Sequence, residues 1–234
     1  KQSISEEFQD KEGELMVGTL SREDQNNYFV DLGRCSGILP KDQIIPGEKL
    51  EMGSSVKVYV SKLEIGPKGP FIMLSRSHYG FVKRLLEIEI PELSDGTIML
   101  YSVARDAGSR SKIAVYTEYA NVDPIGAVIG EKGRRIANVL KELGGEKIDV
   151  ILYDKDPVKF ITNALSPAKD VKVSIKDETK KEALALVNDK NLSLAIGKKG
   201  QNVKLASRLT HYKIEVKPEE EANTETTAEA SVEE

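Results

Sequence analysis

Two short stretches of this 234-residue chain combine residue types in a way that suits them to chemistry. The first is Val128-Ile129-Gly130-Glu131-Lys132-Gly133-Arg134-Arg135-Ile136, and the second is Ala195-Ile196-Gly197-Lys198-Lys199-Gly200-Gln201-Asn202-Val203. Each places two glycines three positions apart between aliphatic residues, with polar or basic side chains inside and after the pair. Glycine lets a turn take up left-handed backbone and lets two backbones approach closely. A helix that begins after such a turn offers free N–H groups and the positive end of its dipole, a natural seat for a phosphate. Lys132, Arg134, Lys198 and Lys199 add charge of the right sign. Ile129, Ile136, Ile196 and Val203 supply apolar surface beside it.

The elements around each stretch repeat as well. Ile136, Leu140 and Leu143 recur at helical spacing after the first loop, and Val203, Ala206 and Thr210 after the second. A short β-like run follows each helix: Lys147-Ile148-Asp149-Val150-Ile151-Leu152, and Lys213-Ile214-Glu215-Val216. One G-x-x-G alone reads most simply as a tight helix–helix turn. Two loop–helix–strand units in one chain are an internal repeat and govern the fold reading. Each resembles the G-x-x-G loop of KH domains, which clamp about four nucleotides of single-stranded nucleic acid. Gln201 and Asn202 could bond a phosphate or a base edge, or could simply lie on the helix surface.

Composition narrows the alternatives. One cysteine, Cys35, excludes an internal disulfide, and no cluster of thiolates can form. His78 and His211 are far apart and lack ligand spacing, so no metal or other cofactor is expected. No apolar run in the sequence could span a bilayer, and no signal peptide is expected. The net charge of −4 hides an asymmetry. Residues 120–217 carry 19 basic and 13 acidic side chains, residues 1–119 carry 15 and 18, and residues 218–234 hold seven Glu and no Lys or Arg. Positive charge therefore accompanies the glycine loops, as phosphate binding requires.

In chain order, residues 1–13 read as a linker from a missing N-terminal region. Period-two alternation, clearest in Val56-Lys57-Val58-Tyr59-Val60, predicts strands near 14–22, 26–32, 35–39, 54–64 and 69–76, separated by Gly and Asn turns. Five short strands over residues 14–77 suggest a closed barrel of OB-fold type. Phe29-Val30-Asp31-Leu32-Gly33, Gly37-Ile38-Leu39-Pro40-Lys41 and Leu74-Ser75-Arg76-Ser77 resemble the S-one module of that fold. Phe29 and Tyr28 are candidate stacking platforms, and one of them must face the core, since strand neighbours point opposite ways. A first KH domain is expected over 78–154, with a helix near 78–90 whose face holds Phe81, Leu85 and Ile88 and which Pro91 helps to end. Strands near 97–105 and 112–119 follow, then a short helix opened by Asp123-Pro124. A second KH domain over 155–217 repeats the order αββααβ. The link between them, near 153–156, is too short for independent tumbling, so a packed pair is expected. Residues 218–234 have the composition of an acidic disordered tail.

Longer stretches carry a closer resemblance: Ala104-Arg105-Asp106-Ala107-Gly108-Ser109-Arg110-Ser111, Asp123-Pro124-Ile125-Gly126-Ala127, Asn163-Ala164-Leu165-Ser166-Pro167-Ala168, and Leu192-Ser193-Leu194-Ala195-Ile196-Gly197 with Gly200-Gln201-Asn202-Val203. Together with the order of an S-one domain and two KH domains, they resemble the NusA family of bacterial transcription factors across about residues 14–217. The resemblance implies a multidomain α+β protein of the cytoplasm, not an enzyme. It would bind nascent single-stranded RNA and act with RNA polymerase and other antitermination factors in elongation, pausing, termination and antitermination. A monomer is expected. RNA contacts are expected from Ile129, Gly130, Lys132, Gly133, Arg134, Ile136, Ile196, Gly197, Lys198, Lys199, Gly200, Gln201, Asn202 and Val203, with Arg110 and Phe29 beside them. The chain departs from the S-one pattern at Asn26, where an aromatic is common, and from the NusA pattern at Glu131 inside the first loop and at His211-Tyr212, where glycine and tryptophan are usual. A ribonuclease accessory module like that of polynucleotide phosphorylase and a protein-docking scaffold are the alternatives.

Overall fold

The structure is a computed structural model that describes residues 10–220. Most of the expected linker and acidic tail therefore lies outside the described residues. The chain divides into two compact units. Among the described residues, the first holds 10–94 together with Ala107–Ser109 and Ile129–Glu146, and the second holds Asp95–Asp106, Arg110–Val128 and 147–220.

In the first unit, β1 (Leu15–Glu23), β2 (Asn27–Asp31), β3 (Ser36–Pro40), β4 (Ser55–Gly66) and β5 (Gly69–Ser75) close a barrel in the order β1-β2-β3-β5-β4. Its core is the inward half of the alternating pattern: Val56, Val58 and Val60 from β4 meet Leu20, Val30, Leu39, Ile72 and Leu74. Closure leaves no edge strand.

Helix α1 (Tyr79–Glu89) follows, capped by His78, whose ring nitrogen accepts the Gly80 N–H at 2.9 Å. Its buried side chains include Phe81, Val82, Leu85 and Leu86. Ile88, expected on that face, is 69% exposed. At 100° per residue it lies roughly 90° from the centre of the buried stripe, on its flank. Pro91 does not merely end a helix. It opens a short second one, α2 (Pro91–Asp95), at the first-turn position where its missing N–H costs nothing.

The second unit contains two three-stranded sheets of the same topology. In β6 (Met99–Asp106), β7 (Arg110–Tyr116) and β8 (Lys147–Leu152), the middle strand β7 runs antiparallel to β6 and parallel to β8. In β9 (Lys172–Asp177), β10 (Glu182–Val187) and β11 (Lys213–Pro218), β10 holds the same place. The strands β6 and β7 reach each other over three residues, 107–109, a tighter connection than the expected 106–111. Helix α3 (Pro124–Ile129) precedes the first glycine loop, and α4 (Arg134–Leu143) follows it. In the second repeat, α5 (Pro157–Ala164) is followed by the sheet strands, α6 (Asp189–Ile196) and α7 (Gln201–Thr210).

The two sheets differ in burial. Along β10 only alternate residues, Ala183, Ala185 and Val187, are buried, as in a sheet with one covered face. Along β7 every residue from Ser111 to Val115 is buried, so both faces are covered. One of those faces joins the second repeat: Ala104, Ala114 and Ile151 share a single core with Phe160, Ile161 and Leu165 of the α5 region and Leu205, Ala206 and Leu209 of α7. Ser102 Oγ also donates to the Leu209 carbonyl at 2.7 Å. The first sheet and the second repeat therefore pack together, in agreement with the short link between them.

Candidate nucleic-acid interface

The two glycine loops adopt one backbone shape from different sequences. Gly130, Lys132 and Gly133 have φ values of 79°, 55° and 71°, and Gly197, Lys199 and Gly200 have 78°, 57° and 76°. The ψ values agree as closely: 172° and 169° at the first glycines, 25° at both lysines, 17° and 12° at the last glycines. The two glycines of each loop are joined by a hydrogen bond of 3.1 Å, from Gly133 N–H to the Gly130 carbonyl and from Gly200 N–H to the Gly197 carbonyl.

Within each loop the glycines have different duties. A Cβ on Gly130 would lie 2.6 Å from Arg135 Cγ, and one on Gly197 would lie 2.7 Å from the Asn202 nitrogen. The first glycine is therefore needed for close approach as well as for its φ. A Cβ on Gly133 would meet nothing within 4 Å, and one on Gly200 would meet only the Lys204 side chain from 3.5 Å outward. There only the left-handed φ excludes other residues, and the space beside the turn is open.

The helices that follow lack side-chain caps. Asp156 caps α5 and Asn188 caps α6, each accepting a backbone N–H in the first turn, as His78 does for α1. Neither α4 nor α7 has such a cap. Capping normally stabilises a helix by about 1 kcal/mol, so leaving two helix starts uncapped suits an external anion.

Around the first loop, Glu131, Lys132 and Arg134 are exposed, while Arg135 is turned aside into a bidentate contact with Glu92 at 2.6 and 3.2 Å. Ile129 is 37% exposed and Ile136 is half-buried. Around the second loop, Lys198 and Lys199 are exposed, and Ile196 and Val203 are half-buried. Lys204, which sequence reasoning passed over, reaches back with its ammonium 3.3 Å from the Lys199 carbonyl. Its position four residues after Gly200 was the available signal, since one helical turn returns a side chain to the same face.

Three expected contact residues are occupied within the protein. Asn202 is 5% exposed, and its amide donates to the Leu165 and Ala195 carbonyls at 3.1 and 3.0 Å. It is a buried tie between α5, α6 and α7, not a surface group. Gln201 donates to Asp106 at 2.8 Å. Arg110 spans both oxygens of Asp149 at 3.0 Å. On the barrel, Tyr28 packs against the core, while Phe29 is the outward aromatic, covered by the Arg22 guanidinium at 3.8 Å.

Comparisons with known proteins agree with this geometry. Residues 76–153 match the NusA-like first KH domain, and residues 157–224 match the NusA-like second KH domain. The chain belongs to the NusA family. It is 48% identical over 219 residues to the transcription termination/antitermination protein NusA of Halalkalibacterium halodurans, covering 94% of this chain and 57% of that protein. It is 47% identical to the proteins of the same name from Bacillus subtilis and Thermus thermophilus, covering 94% and 90% of this chain and 59% and 54% of theirs. The NusA-family chain thus spans a little over half the length of these relatives. Among its described residues no helix is long and apolar enough to cross a membrane, and no group of three or more His, Cys, Asp or Glu could hold a metal ion.

Proposed function

We propose that this chain is the RNA-binding part of a transcription elongation, pausing, termination and antitermination factor. The carrying observation is the pair of loops with one backbone shape, each open beside its second glycine and each followed by an uncapped helix. The loop amides and the Lys132, Arg134, Lys198 and Lys199 side chains hold the RNA backbone, and the aliphatic residues Ile129, Ile136, Ile196 and Val203 receive bases. Phosphate contacts fix the register, and base contacts supply the sequence preference. Phe29 offers a stacking surface on the barrel. RNA polymerase and other antitermination factors are the protein partners, and the factor works as a cytoplasmic monomer without catalysis. The names of the relatives support this reading, as do the two matched KH domains.

The test is an RNA titration with Gly197→Asp/Gly200→Asp and with Gly130→Asp/Gly133→Asp. Each pair puts carboxylates where the phosphate would sit. Both should lose RNA affinity at least tenfold with the circular dichroism spectrum retained. Unchanged affinity in folded variants would remove the reading.

A further inference from the structure

Tyr101, Tyr116, Tyr119 and Tyr153 are four of the eight tyrosines in the chain, and the fold brings them to one end of the first sheet, within the second unit. The Tyr101 and Tyr153 rings stack with their centroids 3.9 Å apart, and Tyr116 lies 5.1 Å from Tyr153. The buried Phe160 of α5 meets both stacked rings edge-on, at 5.6 and 5.0 Å. Thr117 Oγ1 donates to the Thr97 carbonyl at 2.7 Å and accepts the Tyr119 N–H at 3.2 Å, which ties the Tyr119 segment to the start of β6. Met99, Tyr101 and Tyr119 are nevertheless 42%, 45% and 60% exposed.

Two features mark this corner as a surface for a partner. The first is a break in the ladder. The pairing of β6 with β7 shifts register between Leu100 and Ser102, so Tyr101 is the extra residue of a bulge. A bulge re-aims a side chain, and here it lays the Tyr101 ring on Tyr153 with one face left to solvent. Tyr153 and Phe160 behind it hold the exposed ring in place, so little rotamer freedom remains to be lost on contact. The second feature is charge. The segments that form the corner, 95–101, 116–123 and 153–160, contain five acidic and two basic side chains. That balance opposes the excess of basic side chains across residues 120–217. Desolvation and then Tyr101 raise the Tyr153 pKa, and Asp154 adds to the rise, so a carboxylate stands beside the rings. Carboxylates around an aromatic face repel phosphate and favour a cation.

We infer that this corner is a docking surface for an arginine-bearing segment of a partner protein, with guanidinium groups laid on the Tyr101 and Tyr119 rings and the surrounding carboxylates supplying the opposite charge. Arginine suits the surface better than lysine, because its planar, weakly hydrated head stacks on an aromatic face. The chain already uses this contact on its barrel, where the Arg22 guanidinium lies 3.8 Å over the Phe29 ring. The surface uses no glycine-loop residue, so the inference goes beyond the RNA-binding reading and does not depend on it.

The experiment uses the whole chain and three probes: an eight-residue peptide of alternating glycine and arginine, its lysine counterpart, and a 12-nucleotide RNA of randomised sequence. The arginine peptide should shift the Tyr101 and Tyr119 ring signals in aromatic NMR spectra and bind at least threefold more tightly than the lysine peptide. Tyr101→Ala and Tyr119→Ser should each weaken the arginine peptide about fivefold, the size of one exposed cation–π contact, and leave RNA affinity unchanged. Tyr101→Phe keeps the ring and should bind the peptide within twofold of wild type. Tyr119→Ser, at the more exposed position, serves if Tyr101→Ala fails to fold. Equal affinity for the two peptides overturns the inference, as does wild-type peptide affinity in the folded variants. Shifts confined to the glutamate-rich residues 218–234 also overturn it, by showing that charge alone captures the peptide. If the RNA instead shifts the tyrosine rings, the corner belongs to the nucleic acid and the protein partner is excluded.

Discussion

Arg76 and Glu142, 66 positions apart in sequence, meet at 3.0 Å beside a guanidinium whose side chain is only 5% exposed. The same guanidinium holds both oxygens of Glu48 at 2.8–3.1 Å and donates to the Lys57 carbonyl at 2.6 Å. Glu48 and Lys57 belong to the barrel domain, and Glu142 lies near the end of the helix that follows the first glycine loop. Burial pulls the Arg76 pKa down, but hydrogen bonds and charge from Glu48 and then Glu142 outweigh it and leave it raised. Arg76→Met removes the cation and strands two carboxylates. Chemical denaturation should show a loss of about 3 kcal/mol, the cost of breaking a buried pair from one side. A loss below 0.5 kcal/mol would show that the carboxylates rehydrate freely.

The glycines of the second loop should separate by mechanism. Gly200→Ala meets only a flexible lysine stem and a left-handed φ, so it should cost about 1 kcal/mol. Gly197→Ala adds a clash with the Asn202 backbone nitrogen at 2.7 Å and should cost at least 1 kcal/mol more. Paired thermal melts of the two variants check the order, and equal costs would refute the assignment of duties.

Salt dependence should report the loop lysines. For single-stranded nucleic acid, each neutralised phosphate contributes roughly −0.7 to the slope of log affinity against log salt concentration. Lys198→Ala/Lys199→Ala should therefore flatten that slope by about 1.4, the value for two contacts. A slope unchanged from wild type would place these ammoniums away from the RNA. Glu131→Gln should raise affinity at the first loop, because it removes the one carboxylate inside a phosphate cradle.

His211 ends α7 with φ 62°, the same left-handed angle that Gly144 has at the end of α4. A side chain there is strained, and glycine relieves it. His211→Gly should raise stability by about 0.5–1 kcal/mol in denaturant titration, without affecting RNA affinity.

Asp24 closes the β1–β2 turn by accepting the Asn26 and Asn27 N–H groups at 2.9 and 2.8 Å. Those backbone bonds hold its carboxyl below the ordinary 3.8. A lowered folded value means that the turn is fully supported above the ordinary pKa and loses that support as pH falls through the lowered one. Carboxyl NMR titration should show Asp24 protonating below the ordinary aspartate value of 3.8. A midpoint at or above 3.8 would contradict the turn geometry.

Local pattern made much of this molecule readable from sequence. The alternation of Val56, Val58 and Val60 gave the barrel wall, and the glycine spacing gave both loops. What escaped the reading depended on distant parts of the chain. Asn202 carries no sign in its neighbours that it turns inward, because the carbonyls it serves are at Leu165, 37 positions away, and Ala195. Arg110 looked available because its partner, Asp149, is 39 positions away. Ile88 fits a helical stripe on spacing alone, but only the packed structure shows where that stripe stops.

The common core formed by Ala104, Ala114 and Ile151 with the helices of the second repeat limits how the protein can be dissected. A recombinant fragment ending at the link near residue 154 would present a bare greasy sheet to solvent. Such a fragment should be recovered as insoluble material, whereas a piece carrying both repeats should stay in solution. Gene-level boundaries drawn one KH domain at a time therefore misjudge where the smallest self-sufficient piece ends.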